Sequence, residues 1–413
     1  MIRFRPFRGW RPVSHLAHLV ASRSFLSYTD EQIRSKLAGN PFTFLHVVHP
    51  EHSPGAKAAA KQEKSRTERF KDVRHMWNAF VSEGWFVRDE KPCFYLYEQS
   101  RPGLLSRGII GVVSVGDYRG GRVKVHEHTL ASREELFKEY LDVTGINAEP
   151  VLLAAPGTHE LDTDVEAMHQ VPPTYDFSTT DRIRHRLWAV SAPKDVATIA
   201  KHVASAGVLY IADGHHRLAS SARLAEATGA YADAPKAWCL AFIVPQEHLH
   251  IHNFDRALTS LGGIDTDELI EALGGIGPLK PLAAAPDRHP AHGHVCVCTR
   301  KGWFDLELPP APANASPADR LDASVLSDAV LKPVLGVQDL RTDPHVRFVP
   351  GTAGVGELER MVRSGEAKVA FHLCPVSFAE LQAVADSGGC MPPKSTWIEP
   401  KLRSGLTVYG LED

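Results

Sequence analysis

Residues 208–217 read Val-Leu-Tyr-Ile-Ala-Asp-Gly-His-His-Arg, and they indicate most clearly how this chain folds. The apolar run before Asp213 predicts a buried strand, and the Ala/Leu-rich stretch from Leu218 to Thr228 predicts a helix. A strand that turns directly into a helix directs backbone N–H groups and the positive end of the helix dipole at one point. Gly214 permits the positive φ or the close backbone approach that such a turn needs.

The side chains of this turn predict a phosphate-binding site. Arg217 can hold a phosphate group through two parallel hydrogen bonds, and His215 and His216 add two imidazoles beside it. Asp213 supplies a carboxylate that can accept a proton or hold a metal ion. The alternative is a polar turn whose histidines are merely solvated.

A second polar cluster is Lys124-Val125-His126-Glu127-His128-Thr129. The alternating pattern from Val123 to Thr129 predicts a strand, which would place Lys124, His126 and His128 on one face. Glu127 and Thr129 would share the other face. Such a cluster can bind an anionic substrate, can bind zinc through its histidines, or can be a solvated strand end.

A third polar cluster lies near the C-terminus and supplies Lys394, Ser395, Thr396 and Lys401 beside a proline-fixed backbone. These groups suit a wall that faces phosphates. Arg256 follows a predicted buried strand, and it fits an anion ligand and a surface residue equally well.

Composition limits the class of protein. A chain of 413 residues predicts two domains, which we place at 1–262, with the histidine-containing motifs, and 263–413, whose C-terminal segment returns to the site. The net charge of −3 argues against non-specific nucleic-acid binding. Six scattered cysteines without a CxxC pair indicate neither a zinc ribbon nor a disulfide framework, and they suit a reducing cytoplasm. No apolar run approaches the length of a membrane span, so we expect a cytoplasmic protein without a membrane partner.

The remaining periodicity predicts an α+β (mixed α/β) fold. Apolar runs predict strands at residues 42–48, 93–97, 108–115, 151–154, 185–190 and 237–244. Helical spacing predicts helices at residues 70–83, 132–143 and 194–205. The chain contains neither a GxxxxGK[ST] loop nor a GxSxG elbow, which argues against a Walker-type nucleotide site and a serine hydrolase.

The order of the motifs resembles the DUF1015 family over nearly the whole chain. The matching stretches are Arg5–Arg8, Val123–Leu130, Tyr210–Ala219, Pro392–Thr396 and Pro400–Leu406. Two stretches differ from the family's usual residues, namely Ser22–Tyr28 and His252–Arg256, the second of which retains the arginine. Residues 191–230 also resemble the phosphate-binding motif of the ParB/sulfiredoxin-like superfamily, whose free-serine kinases carry a similar Asp-Gly-His-His-Arg.

These resemblances imply a ParB/sulfiredoxin-like core elaborated by additional α/β segments. They imply a phosphotransfer enzyme that acts on serine, phosphoserine or a similar hydroxylated metabolite, with Mg²⁺ and a nucleotide, ATP or ADP, as cofactors. The catalytic residues would be Glu127, Asp213 and His215. The nucleotide would be held by Gly214, His216, Arg217, Lys394, Ser395, Thr396 and Lys401. The small-molecule substrate would be held by Lys124, His126, His128, Thr129 and Arg256.

Three other functions remain open at this point. With water as the acceptor, the same site would make a phosphoserine phosphatase. A ParB-like protein could instead bind a nucleotide as a regulator, although neither a helix-turn-helix segment nor a strongly basic face accompanies the motif. A metallohydrolase could use His126, His128 and His215 as metal ligands. The oligomeric state stays open.

Overall fold

The structure is a computed structural model that describes residues 1–24, 27–52, 64–157, 163, 166 and 170–412. The described helices are α1 Ala17–Val20, α2 Asp30–Gly39, α3 Leu45–Val48, α4 Arg66–Ser82, α5 Val115–Arg119, α6 Ala131–Thr144, α7 Pro193–Ser205, α8 His215–Ala227, α9 Thr266–Ile276, α10 Asp322–Leu326, α11 Val355–Ser364 and α12 Phe378–Asp386. The described strands are β1 Phe4–Arg5, β2 Trp10–Pro12, β3 Ser22–Arg23, β4 Phe86–Arg88, β5 Phe94–Arg101, β6 Leu104–Ser114, β7 Val123–Lys124, β8 Ile146–Asn147, β9 Val151–Ala155, β10 Tyr175–Ser178, β11 Arg184–Val190, β12 Leu209–Asp213, β13 Trp238–Pro245, β14 His250–Leu258, β15 Leu279–Leu282, β16 His294–Thr299, β17 Gly302–Glu307, β18 Val346–Pro350, β19 Val369–Leu373, β20 Thr396–Glu399, β21 Arg403–Ser404 and β22 Tyr409–Gly410. Of the divergent stretch Ser22–Tyr28, Phe25 and Leu26 lie outside the described residues.

The chain forms two compact units. Unit 1 contains Met1–Lys124, His128–Leu249 and Pro400–Asp413, and unit 2 contains Val125–Glu127 and His250–Glu399. The chain changes unit at His250 because β14 pairs with β18, β19 and β20, all within unit 2. The domain division at residue 262 stays a prediction.

Unit 1 is built on a mixed sheet with the strand order β10-β11-β5-β6-β13-β9-β12-β7, and β1 also pairs with β6. β13 is buried along its whole length, and it runs antiparallel to β6 and parallel to β9. β12 runs antiparallel to β9 and parallel to β7. Unit 1 therefore has the α+β composition that the sequence predicts.

Unit 2 is built on a second sheet with the order β15-β17-β16-β19-β14-β18, and β20 also pairs with β14. Its core includes Leu258, Val297 and Phe371, which come from three neighbouring strands of this sheet. Helix α9 packs Leu269 and Leu273 into the same core. Helices and strands thus alternate in unit 2 as well, and the α+β prediction is confirmed for both units.

The strand, turn and helix predicted around Asp213 are confirmed. β12 carries Leu209 to Asp213 with its first four residues buried, and α8 begins at His215. The strands predicted at 93–97, 108–115, 151–154, 185–190 and 237–244 are also present, as β5, β6, β9, β11 and β13. The helices predicted at 70–83, 132–143 and 194–205 are α4, α6 and α7.

The strand predicted at residues 42–48 is wrong. Leu45–Val48 is a helical turn, and the amide of His49 donates to the Leu45 carbonyl at 2.8 Å. Phe44, Leu45 and Val47 are fully buried. A short apolar run that is buried on several sides shows neither the alternation of a half-buried strand nor the 3.6-residue period of a helix. Its pattern therefore could not distinguish a strand from a helix.

The strand predicted at Val123–Thr129 is mostly wrong as well. β7 ends at Lys124, and the next three residues belong to unit 2. The amide of Met391 donates to the His126 carbonyl at 2.9 Å, so His126 pairs with the C-terminal part of the chain. His126 is buried whereas His128 is exposed, and the two histidines therefore do not share one strand face with Lys124.

Among the described residues, no helix is long and apolar enough to cross a membrane. All six cysteines lie within the described part of the chain, and none forms a disulfide there. Cys296 and Cys298 alternate along β16, and both are buried in the same cluster of apolar side chains.

Candidate functional site

The turn between β12 and α8 has the backbone that Gly214 was expected to allow. Gly214 has φ +99° and stands at the N-cap of α8. A Cβ atom at this position would lie 2.9 Å from Nε of Arg217. Glycine is therefore favoured here chiefly because an L side chain rarely adopts this φ. A Cβ atom would also require the Arg217 side chain, which folds back over the turn, to shift.

The Arg217 guanidinium is fixed at the point where β12 ends and β9 begins. Its Nη1 donates to the Pro150 carbonyl at 2.7 Å, and its Nη2 donates to Asp213 Oδ2 at 3.3 Å. Glu149 Oε2 lies 3.5 Å from Nη1. The Arg217 side chain remains 23% exposed, so one edge of it is accessible to a dissolved ligand.

A second cation approaches the same carboxylate. Lys401 Nζ lies 3.9 Å from Asp213 Oδ2, so the Asp213 carboxylate lies between an ammonium and a guanidinium group. Gln99 donates to the Lys401 carbonyl at 3.2 Å, and the Ser404 hydroxyl donates to Glu149 at 2.6 Å. The C-terminal segment Pro400–Asp413 thereby completes the site within unit 1.

The two histidines of the motif occupy the first turn of α8 in different environments. His215 is buried, and His216 is half-buried. Burial lowers the pKa of His216, and the positive charge of Arg133 lowers it further, against a smaller effect of Glu134. His216 is accordingly neutral at neutral pH, and its buried Nδ1 has no hydrogen-bond partner among the described residues.

Thr129 belongs to a polar cluster beside His216. Its hydroxyl donates to Glu134 Oε1, and Arg223 Nε donates to Glu134 Oε2. The hydrogen bond from Thr129 is the main reason why the pKa of Glu134 lies below its usual value, and Arg223 and His216 add to the effect. An ionised carboxylate therefore lies next to the helix turn that carries His216.

Lys124 and His128 complete the predicted residues of unit 1. Lys124 is the last residue of β7 and pairs with Tyr210 of β12. It therefore lies on the strand next to the one that ends at Asp213. His128 is exposed and follows the three residues of unit 2.

An apolar cavity of about 330 Å³ opens beside Arg217 within unit 1. Phe70, Phe137 and Tyr140 contribute aromatic wall, and the ionisable residues of the lining are His49, Glu51, Arg66, Arg69, Glu149 and Arg217. The rings of Phe70 and Tyr140 meet edge to face with centroids 5.4 Å apart. The volume lies within the range of small-molecule sites, which usually combine an apolar wall with a few polar groups.

The other predicted residues lie in unit 2. His126 is buried and Glu127 is exposed. Lys394 has φ +54°, and its Nζ lies 5.4 Å from the centre of the Phe254 ring. The Ser395 hydroxyl donates to the Pro392 carbonyl at 2.8 Å, and Thr396 pairs with Asn253 across β20 and β14.

Arg256 lies in the interior of unit 2 rather than on its surface. Its Nη1 donates to the Phe254 carbonyl at 2.8 Å and its Nη2 to the Pro393 carbonyl at 3.4 Å. The guanidinium carbon lies 4.7 Å from the centre of the Phe348 ring. Burial lowers the pKa of Arg256 to about 10, and Asp255 partly offsets that effect. Of the two alternatives for Arg256, the surface residue is therefore wrong, and the anion ligand stays a prediction.

Four contributors to the unit 1 site are not among the residues chosen from the sequence: Glu134, Glu149, Pro150 and Ser404. Glu149 and Pro150 directly precede β9, so a glutamate followed by a proline before a buried strand was the available signal. The sequence gives no comparable signal for Glu134, because only its contacts with Thr129 and Arg223 distinguish it from its surface neighbours on α6.

A family model described as "Protein of unknown function (DUF1015)" matches residues 4–324. The chain belongs to the DUF1015 family. The match includes the turn at Asp213–Arg217, and it ends before Lys394 and Lys401. No curated protein matches the chain.

Solved structures offer distant likenesses. A free serine kinase variant in complex with ADP is 14% identical at a TM-score of 0.38, and the alignment covers 73% of this chain and 92% of that chain. A conserved hypothetical protein from Pyrococcus furiosus is 16% identical at a TM-score of 0.36, covering 73% and 95%. SbnI from Staphylococcus aureus, with a C-terminal truncation, is 14% identical at a TM-score of 0.37, covering 72% and 85%. At such identities and TM-scores, these likenesses establish no activity for this chain.

Proposed function

We propose that this protein is a small-molecule phosphotransferase whose unit 1 binds a nucleotide and phosphorylates the hydroxyl group of serine or a similar metabolite. The observation that carries the proposal is made at the turn formed by Gly214. Arg217, Lys401 and the N-terminus of α8 lie there at one accessible point. Cations and helix N-termini are the groups that proteins use to hold phosphates.

A bound phosphate would replace the carboxylates that now contact the Arg217 guanidinium. The guanidinium contacts the carboxylates of Asp213 and Glu149. A phosphate can take the place of these carboxylates, because both groups present two oxygens to the planar guanidinium. Lys401, 3.9 Å from Asp213, would then supply a second positive charge to the same phosphate. Fixed positive charge of this kind stabilises a phosphoryl group during transfer.

The apolar cavity would hold the base of the nucleotide. Its aromatic wall, at Phe70, Phe137 and Tyr140, offers faces and edges to a planar base. Arg66, Arg69 and Arg217 are the cations of its lining, and we place the phosphates at Arg217 because the turn and Lys401 lie there. One continuous site would thereby serve both parts of ATP or ADP.

The donor set beside Arg217 also fits the Mg²⁺ ion that accompanies nucleotides. Asp213 and Glu149 supply carboxylate oxygens, and Mg²⁺ prefers oxygen ligands together with phosphate oxygens. Glu149 would hold the ion together with phosphate oxygens, and the ion would neutralise the charge on the transferring phosphate. The Asp213 side chain is 45% exposed, so it remains accessible to a substrate hydroxyl as the general base.

The remaining predicted residues keep narrower roles in the proposal. His216, neutral at neutral pH, keeps its predicted role as a nucleotide ligand, and contact through its buried Nδ1 would require the side chain to move. Thr129 and Lys124 would bind the substrate. Thr129 contacts Glu134 beside the helix turn that carries His216, and Lys124 lies on the strand next to β12. The participation of His126, Glu127, Arg256 and Lys394–Thr396 stays a prediction from the resemblance, and single substitutions test it.

The decisive experiment incubates the full chain with phosphoserine and Mg²⁺, with and without ADP. Phosphorus NMR then measures phosphoserine, ATP and inorganic phosphate over time. Loss of phosphoserine with formation of ATP, only when ADP is present, would support the kinase. Release of inorganic phosphate without nucleotide would identify a phosphatase. If neither tube changes while ATP still binds, serine is not the substrate and the nucleotide-binding regulator becomes the better interpretation. Absence of ATP binding as well would contradict the proposal as a whole.

A further inference from the structure

Three side chains with metal-binding atoms converge in unit 2, in a small cavity that Ser395 also lines. They are His292, Asp322 and Cys374, and their ligand atoms all lie within 4.8 Å of one another. His292 lies in the loop between β15 and β16, Asp322 opens α10, and Cys374 follows the last residue of β19. Three segments that are far apart in the sequence therefore contribute one ligand each.

We propose that His292, Asp322 and Cys374 bind a divalent transition-metal ion, with zinc as the preferred ion. Imidazole nitrogen, thiolate sulfur and carboxylate oxygen are the three ligand types that zinc accepts in proteins. A mixed set of this kind disfavours Mg²⁺ and Ca²⁺, which require oxygen ligands.

The environment of Asp322 favours a cation. Its side chain is 12% exposed, and Oδ2 has no hydrogen-bond partner among the described residues although it lies 3.5 Å from His292 Nδ1. The other oxygen accepts a hydrogen bond from the Gly293 amide at 3.0 Å, which fixes the orientation of the carboxylate. Support of a ligand from its second oxygen is typical of metal sites in proteins.

The space between the ligands suits an ion rather than an organic molecule. The three residues line a cavity of about 10 Å³, which is close to the volume that a single water-sized sphere occupies. Glu380, on α12, lines the same cavity, and its Oε1 lies 3.7 Å from His292 Nδ1. Glu380 does not belong to the group of three ligands, so the fourth position of a tetrahedral site would be left to water.

Such a site would tie a surface loop to the core of unit 2. His292 is 56% exposed and ends the loop that follows β15, whereas Asp322 and Cys374 belong to the helix and the strand end that pack into the unit. A zinc ion bound there would restrain the loop and add its binding free energy to the stability of the folded chain.

The test measures zinc on the full chain after removal of metal with a chelator. Equilibrium dialysis against ZnCl2, with metal determined by mass spectrometry, should give one more zinc per chain in the wild type than in His292→Ala or Cys374→Ser. His345→Ala and Cys390→Ser are the matched controls, because both residues lie in unit 2 outside the cluster, and they should bind as the wild type does. Equal zinc in the wild type and in both cluster variants would overturn the proposal.

Cobalt supplies a second readout that identifies the thiolate directly. Substitution with Co²⁺ should produce an intense near-ultraviolet charge-transfer band in the wild type and in Cys390→Ser, and Cys374→Ser should lack it. Because His292 is largely exposed, His292→Ala will fold even if Cys374→Ser does not, and it should weaken cobalt binding at least about tenfold, equivalent to ~1.4 kcal/mol. A band that survives in both cluster variants would place the metal elsewhere and reject the site.

Discussion

Asp213 Oδ2 lies 3.3 Å from Nη2 of Arg217, four residues further along the chain. The pair spans the turn that Gly214 forms, so the acid at the end of β12 and the base in the first turn of α8 neutralise each other. A phosphate that binds Arg217 has to compete with this carboxylate. In the proposed function, the turn would therefore couple the release of Asp213, the proposed general base, to the arrival of the phosphate.

The first prediction concerns Arg217→Ala. We expect ATP affinity to fall about ten- to a hundredfold, because one charge-assisted pair of hydrogen bonds is lost. The free energy of unfolding should fall by only about 1 kcal/mol, since the bond to the Pro150 carbonyl is the main structural contact removed. Calorimetric titration and urea unfolding measure the two quantities.

Arg184→Ala is the matched control for that variant. Arg184 forms an exposed ion pair with Asp176 on β10 and β11, at the opposite side of the unit 1 sheet from β12. It should leave ATP affinity unchanged. A large loss of stability in Arg217→Ala together with unchanged ATP affinity would show that the turn is structural.

The second prediction concerns Gly214→Ala. The added methyl group would meet Arg217 Nε at 2.9 Å on a backbone with φ +99°, so we expect a loss of about 1–3 kcal/mol and weaker ATP binding. Gly207→Ala separates the two causes, because Gly207 also has positive φ but has no atom within 4 Å of the added methyl. Gly207→Ala should lower the unfolding midpoint while retaining the ATP affinity of the wild type. Equal loss of binding in both variants would argue against the specific contact with Arg217.

The third prediction places the nucleotide base in the apolar cavity. Leu136 lines that cavity, and Leu136→Trp would fill part of its volume. We expect this variant to lose ATP affinity about tenfold while its affinity for pyrophosphate stays unchanged, because only the base is excluded. Leu105→Trp, at an exposed position of the same unit, should change neither affinity. Equal affinities for ATP in wild type and Leu136→Trp would place the base elsewhere.

The fourth prediction concerns acid stability. Burial lowers the pKa of His185 from 6.5 to about 3, with a further effect of the Arg403 charge. Below pH 6.5 the unfolded chain takes up a proton that the folded chain does not, so stability should fall as the pH decreases from about 6.5 toward 3. His185→Gln should reduce this pH dependence, as measured by urea unfolding at a series of pH values. The exposed His128→Gln should retain the slope of the wild type, and an unchanged slope in His185→Gln would mean that other groups cause the acid sensitivity.

Much of unit 1 was predictable because its signals are local. The run before Asp213, the glycine and the Ala/Leu-rich stretch each favour the same strand, turn and helix, and the structure has all three. By contrast, Leu45–Val48 and the residues after Lys124 were predicted as strand and are not. Their conformation depends on burial from several sides and on pairing with Met391, and neither is visible in the local pattern.

The site itself was only partly predictable for the same reason. Asp213, Gly214 and Arg217 are neighbours in the sequence, so their convergence follows from the turn alone. Glu149 and Ser404 reach the site through the sheet and through the returning C-terminal segment. Arg256 was not predictable in this way. We expected its guanidinium at the surface or at a ligand, but it lies in the interior and donates to backbone carbonyls.

The discontinuity of unit 1 has a consequence for its biosynthesis. Pro400–Asp413 belongs to unit 1 but follows all of unit 2 along the chain. During translation, Asp213 and Arg217 leave the ribosome long before Lys401 and Ser404 have been made. A nascent chain can form the strand and the helix of the motif early, but it acquires the second cation and the Glu149 hydrogen bond only after unit 2 has been made. Any ligand that needs Lys401 is thus bound only after His250–Glu399 has been synthesised.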